Sequence, residues 1–185
     1  LNSMRQIEPD SLERNQELAF WINLYNAATL RLIEQNYPVD SIRDIGGWFS
    51  GPWSVSFVRV NGRTLTLDEI EHEIIRPRFE EPRIHFALVC AAKSCPPLRA
   101  EAYTADQLDR QLTHQAAVFL GSPMNGYEPL NRGAREPTRV RLELSPIFSW
   151  YAEDFGGEEG VVDYLADFYP DPVKNRIQRN HYEVT

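Results

Sequence analysis

Cysteine is scarce in this chain: there are two, Cys90 and Cys95. Two cysteines cannot build a disulfide framework. They leave open one bridge, two free thiols or one reactive thiol, and they leave the redox compartment open too. No run of about 20 apolar residues occurs, so a transmembrane helix is not expected. The longest apolar segment, around residues 18–33, is interrupted by Asn23, Asn26, Thr29 and Arg31. Positive charge is also short, with 19 Lys and Arg against 27 Asp and Glu and a formal net charge of −8. That balance argues against a general nucleic-acid binder and against adhesion to anionic membranes. A local basic pocket can still form, because Arg76, Arg78, Arg83, Lys93 and Arg99 lie close together in sequence. Metal-ligand spacings such as CxxC and HExxH are missing, as is a phosphate-binding glycine loop. No metal and no cofactor is expected.

What is present suits a globular protein. Hydrophobic residues make up 42% and aromatic residues 11% of 185 residues, enough to bury a core without staples. The length predicts one domain spanning residues 1–185. Leu1 is not an initiator methionine, so the chain reads as a fragment or a processed form, and a signal peptide could have been removed.

Residues 1–10 read as a lead-in. A long helix follows from about Leu12 to Asn36, capped by Ser11 and apolar on most sides, hence buried. Tyr37-Pro38 ends it, and residues 41–45 suggest a helical turn. Trp48, Phe49 and Trp53 in a Gly-rich loop suggest core closure. Residues 55–60, Asn61-Gly62 and 63–67 predict a hairpin with a type I′ turn. A helix starting at Thr66 or Asp68 should stop at Pro77. The apolar run 84–90 predicts an interior strand, with His85 and Cys90 on opposite faces. Thr104 begins an amphipathic helix to Leu120, with His114 on its surface. Residues 121–137 read as a long loop and 138–144 as a strand. Ser145 caps a further helix, 156–160 reads as a linker, and 161–169 as a last helix. The segment 170–185 is undecided. The expected class is α+β: a long buried helix, a β-hairpin and small sheet, and further helices packed around them.

The chemistry concentrates in RIHFALVCAAKSCPPL, residues 83–98, which holds both cysteines and His85. Cysteine acts as a nucleophile only when a base or a nearby cation makes its thiolate accessible. Cys95 sits in a loop two residues after Lys93, and His72 and His85 are the available bases. Asn23, Asn26, Glu71, Arg76, Lys93 and Ser94 are the groups placed to bind or to orient. Asp68 and Arg76 lie one turn either side of His72; a carboxylate one turn before a histidine can fix its tautomer or raise its pKa, and the other reading is an exposed helix with ordinary i,i+4 pairs. Asn23 and Asn26 share a helix face and, being buried, need hydrogen bonds. They either tie down backbone or line a site. The first functional reading is a thiol-dependent hydrolase or acyl-transferase-like enzyme, with Cys95 as nucleophile and His72 or His85 as base. A non-catalytic module that recognises a peptide, glycan or small molecule is the alternative. In a third reading the same groups form a buried structural network.

The stretches FWINLYNAATL, GRTLTLDEIEHEIIR, PRIHFALVCAAKSCPPLRAEAYTADQLDRQL and LSPIFSWYAEDFG, in this order, resemble the bacterial branch of the domain of unknown function 547. The resemblance runs from about Leu18 to Phe155. It implies that Asn23, Asn26, Glu71, His72, Arg76, His85, Cys90, Ser94, Cys95 and Pro96 fall in signature motifs. It implies export to a periplasmic or extracellular space, and it implies no particular activity.

Overall fold

The computed structural model describes residues 1–46, 51–91, 95–122, 125–130 and 139–185. Helix α1, Arg14–Asn36, starts slightly later than Ser11 suggested. Ser11 instead closes a 3-10 turn, Pro9–Ser11, where its hydroxyl donates to the Glu8 carbonyl at 2.7 Å. The capping box belongs to Glu13 and Gln16, which satisfy two of the orphan donors of the first turn. Ile22, Leu24 and Ala28 are fully enclosed, so α1 is a core helix. Tyr37 ends it ahead of Pro38, a position where the proline ring disfavours helical backbone.

The carboxylate of Glu17, in the first turn of α1, is buried. It accepts from Arg78 Nη1 at 2.7 Å and from Trp21 Nε1 at 3.2 Å. An uncompensated charge there would cost several kcal/mol. Arg14 donates to the carbonyls of Arg78 and Phe79 and lies 5.3 Å from the Phe79 ring centroid. The start of α1 thereby caps the end of α2, Arg76–Phe79.

Strands β1, Val58–Val60, and β2, Arg63–Leu65, form the expected hairpin, paired Val58 to Leu65, Arg59 to Thr64 and Val60 to Arg63. Asn61 and Gly62 both have positive φ, 44° and 72°, as a type I′ turn demands. Thr66 and Glu69 make a reciprocal capping box with bonds of 2.6 and 3.0 Å. Behind it the chain winds as a π-helix, Glu69–Ile75, that runs straight into α2. Pro77 does not stop this helix. It is the second residue of α2, and the chain stays helical through it. Glu80, left-handed at φ 48°, ends α2.

Residues 84–90 are not a strand. Pro82 and the Glu81 side chain, which accepts from Arg83 N at 3.1 Å, nucleate a 3-10 turn, Pro82–Phe86. Ala87 N and Leu88 N then donate back to the Ile84 carbonyl at 2.8 and 2.9 Å. These local bonds replace a ladder, so the alternation of faces inferred for His85 and Cys90 does not apply. Of the three loop aromatics, Trp53 packs on the core, while Trp48 and Phe49 lie outside the described residues.

The chain falls into two compact units, Leu1–Gln115 and Ala116–Thr185, with the boundary inside α3, Leu108–Leu120. In the first, the core gathers α1, the hairpin, the π-helical segment and the 3-10 turn, with Leu108 and Leu112. The second carries a three-stranded sheet in the order β3-β4-β5. β3, Gly126–Pro129, lies within the stretch expected to be loop, and pairs antiparallel with β4, Val140–Glu143. β5, Tyr182–Val184, pairs parallel with β4. Val140 and Leu142 pack with Val162 and Ala166 of α5, Gly157–Ala166, and with Val173 and Ile177 of α6, Asp171–Gln178. The presumed linker 156–160 is the start of α5. Gly156 and Gly157, at φ 88° and 89°, make the turn into it. Ser145 Oγ accepts from Ile147 N at 3.3 Å and so starts α4, Ile147–Trp150, as its sequence position suggested. The class is α+β.

A Cβ at Gly160 would run into the Phe155 carbonyl. Gly160→Ala is expected to lower stability by ~1–3 kcal/mol, the usual cost of overpacking. Urea unfolding followed by circular dichroism checks this; an unchanged midpoint would mean the turn into α5 gives way freely.

Candidate functional site

Between Phe86 and Leu108 the described residues contain neither helix nor strand. Part of this stretch, including Ala87 and Val89, is nevertheless buried. Buried backbone groups need partners, and side-chain amides supply them. Asn26 Nδ2 donates to the Ala87 carbonyl at 2.9 Å, and its Oδ1 accepts from Val89 N at 2.9 Å. One turn earlier on α1, Asn23 does the same at Tyr103, donating at 2.8 Å and accepting at 2.9 Å. From α3, Gln111 donates to the Ala102 carbonyl and accepts from Thr104 N, both at 2.9 Å. Gln115 Nε2 donates to the Pro97 carbonyl at 2.6 Å. Only a carboxamide offers an acceptor and donors on one planar end, the polarity of a peptide group. A carboxylate would repel the carbonyls, and an apolar side chain would leave them bare.

Arg83 fastens the entrance of the loop. Its Nε and Nη2 grip the Glu81 carboxylate at 2.8 and 2.7 Å, while Nη1 reaches Asp109 Oδ1 and Thr113 Oγ1, each at 2.8 Å. The bond to Glu81 is the main reason its pKa lies above the usual guanidinium value. Arg99 Nη1 lies 3.1 Å from His114 Nδ1 on the exposed face of α3, in keeping with the surface role read for His114.

Cys95 is bridged to Cys90, with their Cα atoms 6.0 Å apart. Both are half-buried, and Cys90 is not the enclosed residue its apolar neighbours suggest. A bridged sulfur offers no thiolate, so the nucleophile expected of Cys95 is absent in this oxidation state. His72 is exposed on the π-helical segment, with Nδ1 3.0 Å from Arg76 Nη1. Glu71, beside it, is buried. Asp68, the carboxylate one turn before His72, accepts from Ser54 Oγ at 2.6 Å. His85 is buried at the end of the 3-10 turn. Lys93 and Ser94 lie outside the described residues. The structure thus joins Asn26 to the backbone just after His85, Asn23 to Tyr103, His72 to Arg76, and Cys90 to Cys95. Among the described residues no group of three or more His, Cys, Asp or Glu is arranged to hold a metal ion. π-helical segments are rare and are frequently found at functional sites, and this one carries Glu71 and His72.

Sequence reasoning missed Gln111 and Gln115. Their signal was available: each lies three positions after an apolar stripe residue, Leu108 or Leu112, and so on the buried side of α3. Tyr103 was missed as well. Its ring is buried and its hydroxyl has no hydrogen-bond partner among the described residues. Burial pushes that hydroxyl up to about 12, against the downward pull of the Arg99 charge.

Asn26→Ala would leave a buried carbonyl and a buried N–H unpaired, each worth ~1–3 kcal/mol. A loss of about 2–5 kcal/mol is expected in chemical unfolding. Asn23→Ala, at a half-buried position, should cost less. A loss under about 0.5 kcal/mol for Asn26→Ala would contradict the clamp.

Tyr103→Phe is expected to stabilise the fold at neutral pH by ~1 kcal/mol, because it deletes an unpartnered hydroxyl. The phenol's folded pKa is raised above its unfolded value of 10. Ionisation of this phenol therefore leaves native stability unchanged below pH ~10 and lowers it progressively toward pH ~12, a loss that Tyr103→Phe does not share. Alkaline unfolding curves of the two proteins should diverge in that window, and parallel curves would contradict the assignment.

Comparison with the curated proteins and with the solved structures gives no match. A sequence model of the family described as "Protein of unknown function, DUF547" matches residues 9–120, a stretch that holds α1, the hairpin, the π-helical segment, the pinned loop and α3. That match covers more than half of the chain, and the protein belongs to the DUF547 family.

Proposed function

We propose that in its oxidised form this domain is a non-catalytic recognition module, which presents residues 87–104 to a peptide, a glycan or a small molecule. One observation carries the reading: the described residues of this long stretch, 87–91 and 95–104, lack a ladder and are still fixed by four carboxamides and a disulfide. Loops beyond ~12–15 residues without secondary structure are uncommon in compact domains and are usually functional or disordered. The described residues of this loop, 87–91 and 95–104, are held by side-chain amides, and a backbone held in place binds without first losing its own entropy. Ala91, Pro97 and Leu98 are exposed along it and offer apolar contact. The bridge supports an oxidising, exported setting. Thiol-dependent hydrolysis, with Cys95 as nucleophile and His72 or His85 as base, belongs to the reduced form.

Oxidised protein and dithiothreitol-reduced protein are compared on a chromogenic ester, on a thioester, and on peptide and glycan arrays. The oxidised protein is expected to turn over neither substrate and to retain array ligands. Leu98→Glu, or Cys90→Ser with Cys95→Ser, should weaken that retention about tenfold. Turnover by the oxidised protein, or retention of no array ligand by it, would overturn the recognition reading; turnover by the reduced protein that Cys95→Ser abolishes, and that His72→Ala or His85→Ala depresses, would assign thiol catalysis to the reduced form.

A further inference from the structure

We infer that the cleft between the C-terminal half of α1 and the hairpin binds a small organic polyanion, with its phosphate or carboxylate groups held by Arg5, Arg59 and Arg63. The site is separate from the pinned loop. Its described lining comes from the N-terminal turn, α1 and the hairpin.

The backbone builds it. Asn61 N, in the hairpin turn, donates to the Arg5 carbonyl at 2.8 Å. That bond brings Arg5 beside the hairpin, where it lines a hollow of about 390 Å³ together with Arg59, Arg63, Thr64 and Gly62. No described carboxylate lines that hollow. The adjoining cleft, of about 890 Å³, continues over Phe57, Ala27 and Leu30 and again includes Arg5 and Arg59. Glu34, the one acid among its described lining, pairs with Arg31 at 2.9 Å.

The three charges are grouped with no acid among the described lining. Several other arginines pair with acids: Arg78 with Asp10 and Glu17, Arg83 with Glu81 and Asp109, Arg99 with Glu101, Arg141 with Glu128 and Glu183. Arg5, Arg59 and Arg63 make no ion pair and no side-chain hydrogen bond among the described residues. Three like charges around one hollow repel each other, and a protein with net charge −8 has acids to spare for neutralising them. A multiply charged oxyanion resolves the repulsion, because planar guanidinium forks bind such groups two bonds at a time. The Thr64 hydroxyl adds a neutral donor. Phe57, half-buried, and Leu30, exposed, offer an apolar strip for the body of the ligand. The volumes, about 390 and 890 Å³, lie in the range of small-molecule sites.

Calorimetric titration of the whole chain at low ionic strength tests this, with inorganic pyrophosphate and tricarballylate as probes. At least one probe should bind, more weakly as salt rises, and its presence should raise the melting temperature. The tighter probe assigns the ligand to the phosphates or to the carboxylates. Each of Arg5→Ala, Arg59→Ala and Arg63→Ala should weaken binding about tenfold, and the triple variant should not bind. Arg110→Ala, outside the cleft on α3, should bind like the native protein. Without ligand the triple variant should melt at or above the native temperature, because it loses only repulsion. Failure of both probes to bind, or equal binding by the triple variant, would overturn the inference.

Discussion

The first unit depends on hydrogen bonds from side-chain amides to a stretch of backbone that has no sheet to join. Asn23 and Asn26 on α1, and Gln111 and Gln115 on α3, hold residues 87–104 from two helices. Three of the four give and receive at once, as a neighbouring strand would. A regular ladder would restrict this chain to extended backbone. Discrete amide clamps leave the rest of it free to follow a turn, carry a disulfide and expose Pro97 and Leu98. The second unit uses the same device at Asn125, which donates to the Phe119 carbonyl and accepts from Ser145 N.

Such clamps explain which parts of the fold were legible in sequence. α1, the hairpin turn at Asn61-Gly62 and the start of the helix after Thr66 follow from local rules, and local rules are written in adjacent residues. The run 84–90 was misread because a short apolar segment looks the same in a buried strand and in a buried turn. Pro82 and the Glu81 cap decided it. The partners that make an irregular course tolerable lie about 60 or more residues upstream on α1 or on the later α3, so no local pattern reveals them. Gly156–Gly160 misled for the opposite reason: two left-handed glycines serve as the turn into a helix rather than as a linker. The role of Asn23 and Asn26 was legible only as a need for partners, with the identity of those partners supplied by the fold.

The candidate chemistry separates along the same lines. Of the groups grouped by sequence around Cys95, the asparagines have both ends engaged by backbone and Cys95 is bridged. Glu71, His72 and Arg76 remain together at the junction of the π-helical segment and α2. The arginine cleft is not legible in sequence, because Arg5 is far from Arg59 and Arg63 along the chain and the bond from Asn61 N to the Arg5 carbonyl brings them together. Basic residues that are close in sequence, by contrast, are largely dispersed into ion pairs: Arg78, Arg83 and Arg99 all hold acids.

Native-state hydrogen exchange at the Val89 and Tyr103 amides tests the central claim most directly. Both lie in a stretch without helix or strand, and both donate to a carboxamide rather than to backbone. If the amides hold the loop, these two protons exchange only through large openings, with protection approaching that of the α1 core. Exchange of both at the rate of an open loop, with α1 still protected, would contradict the account.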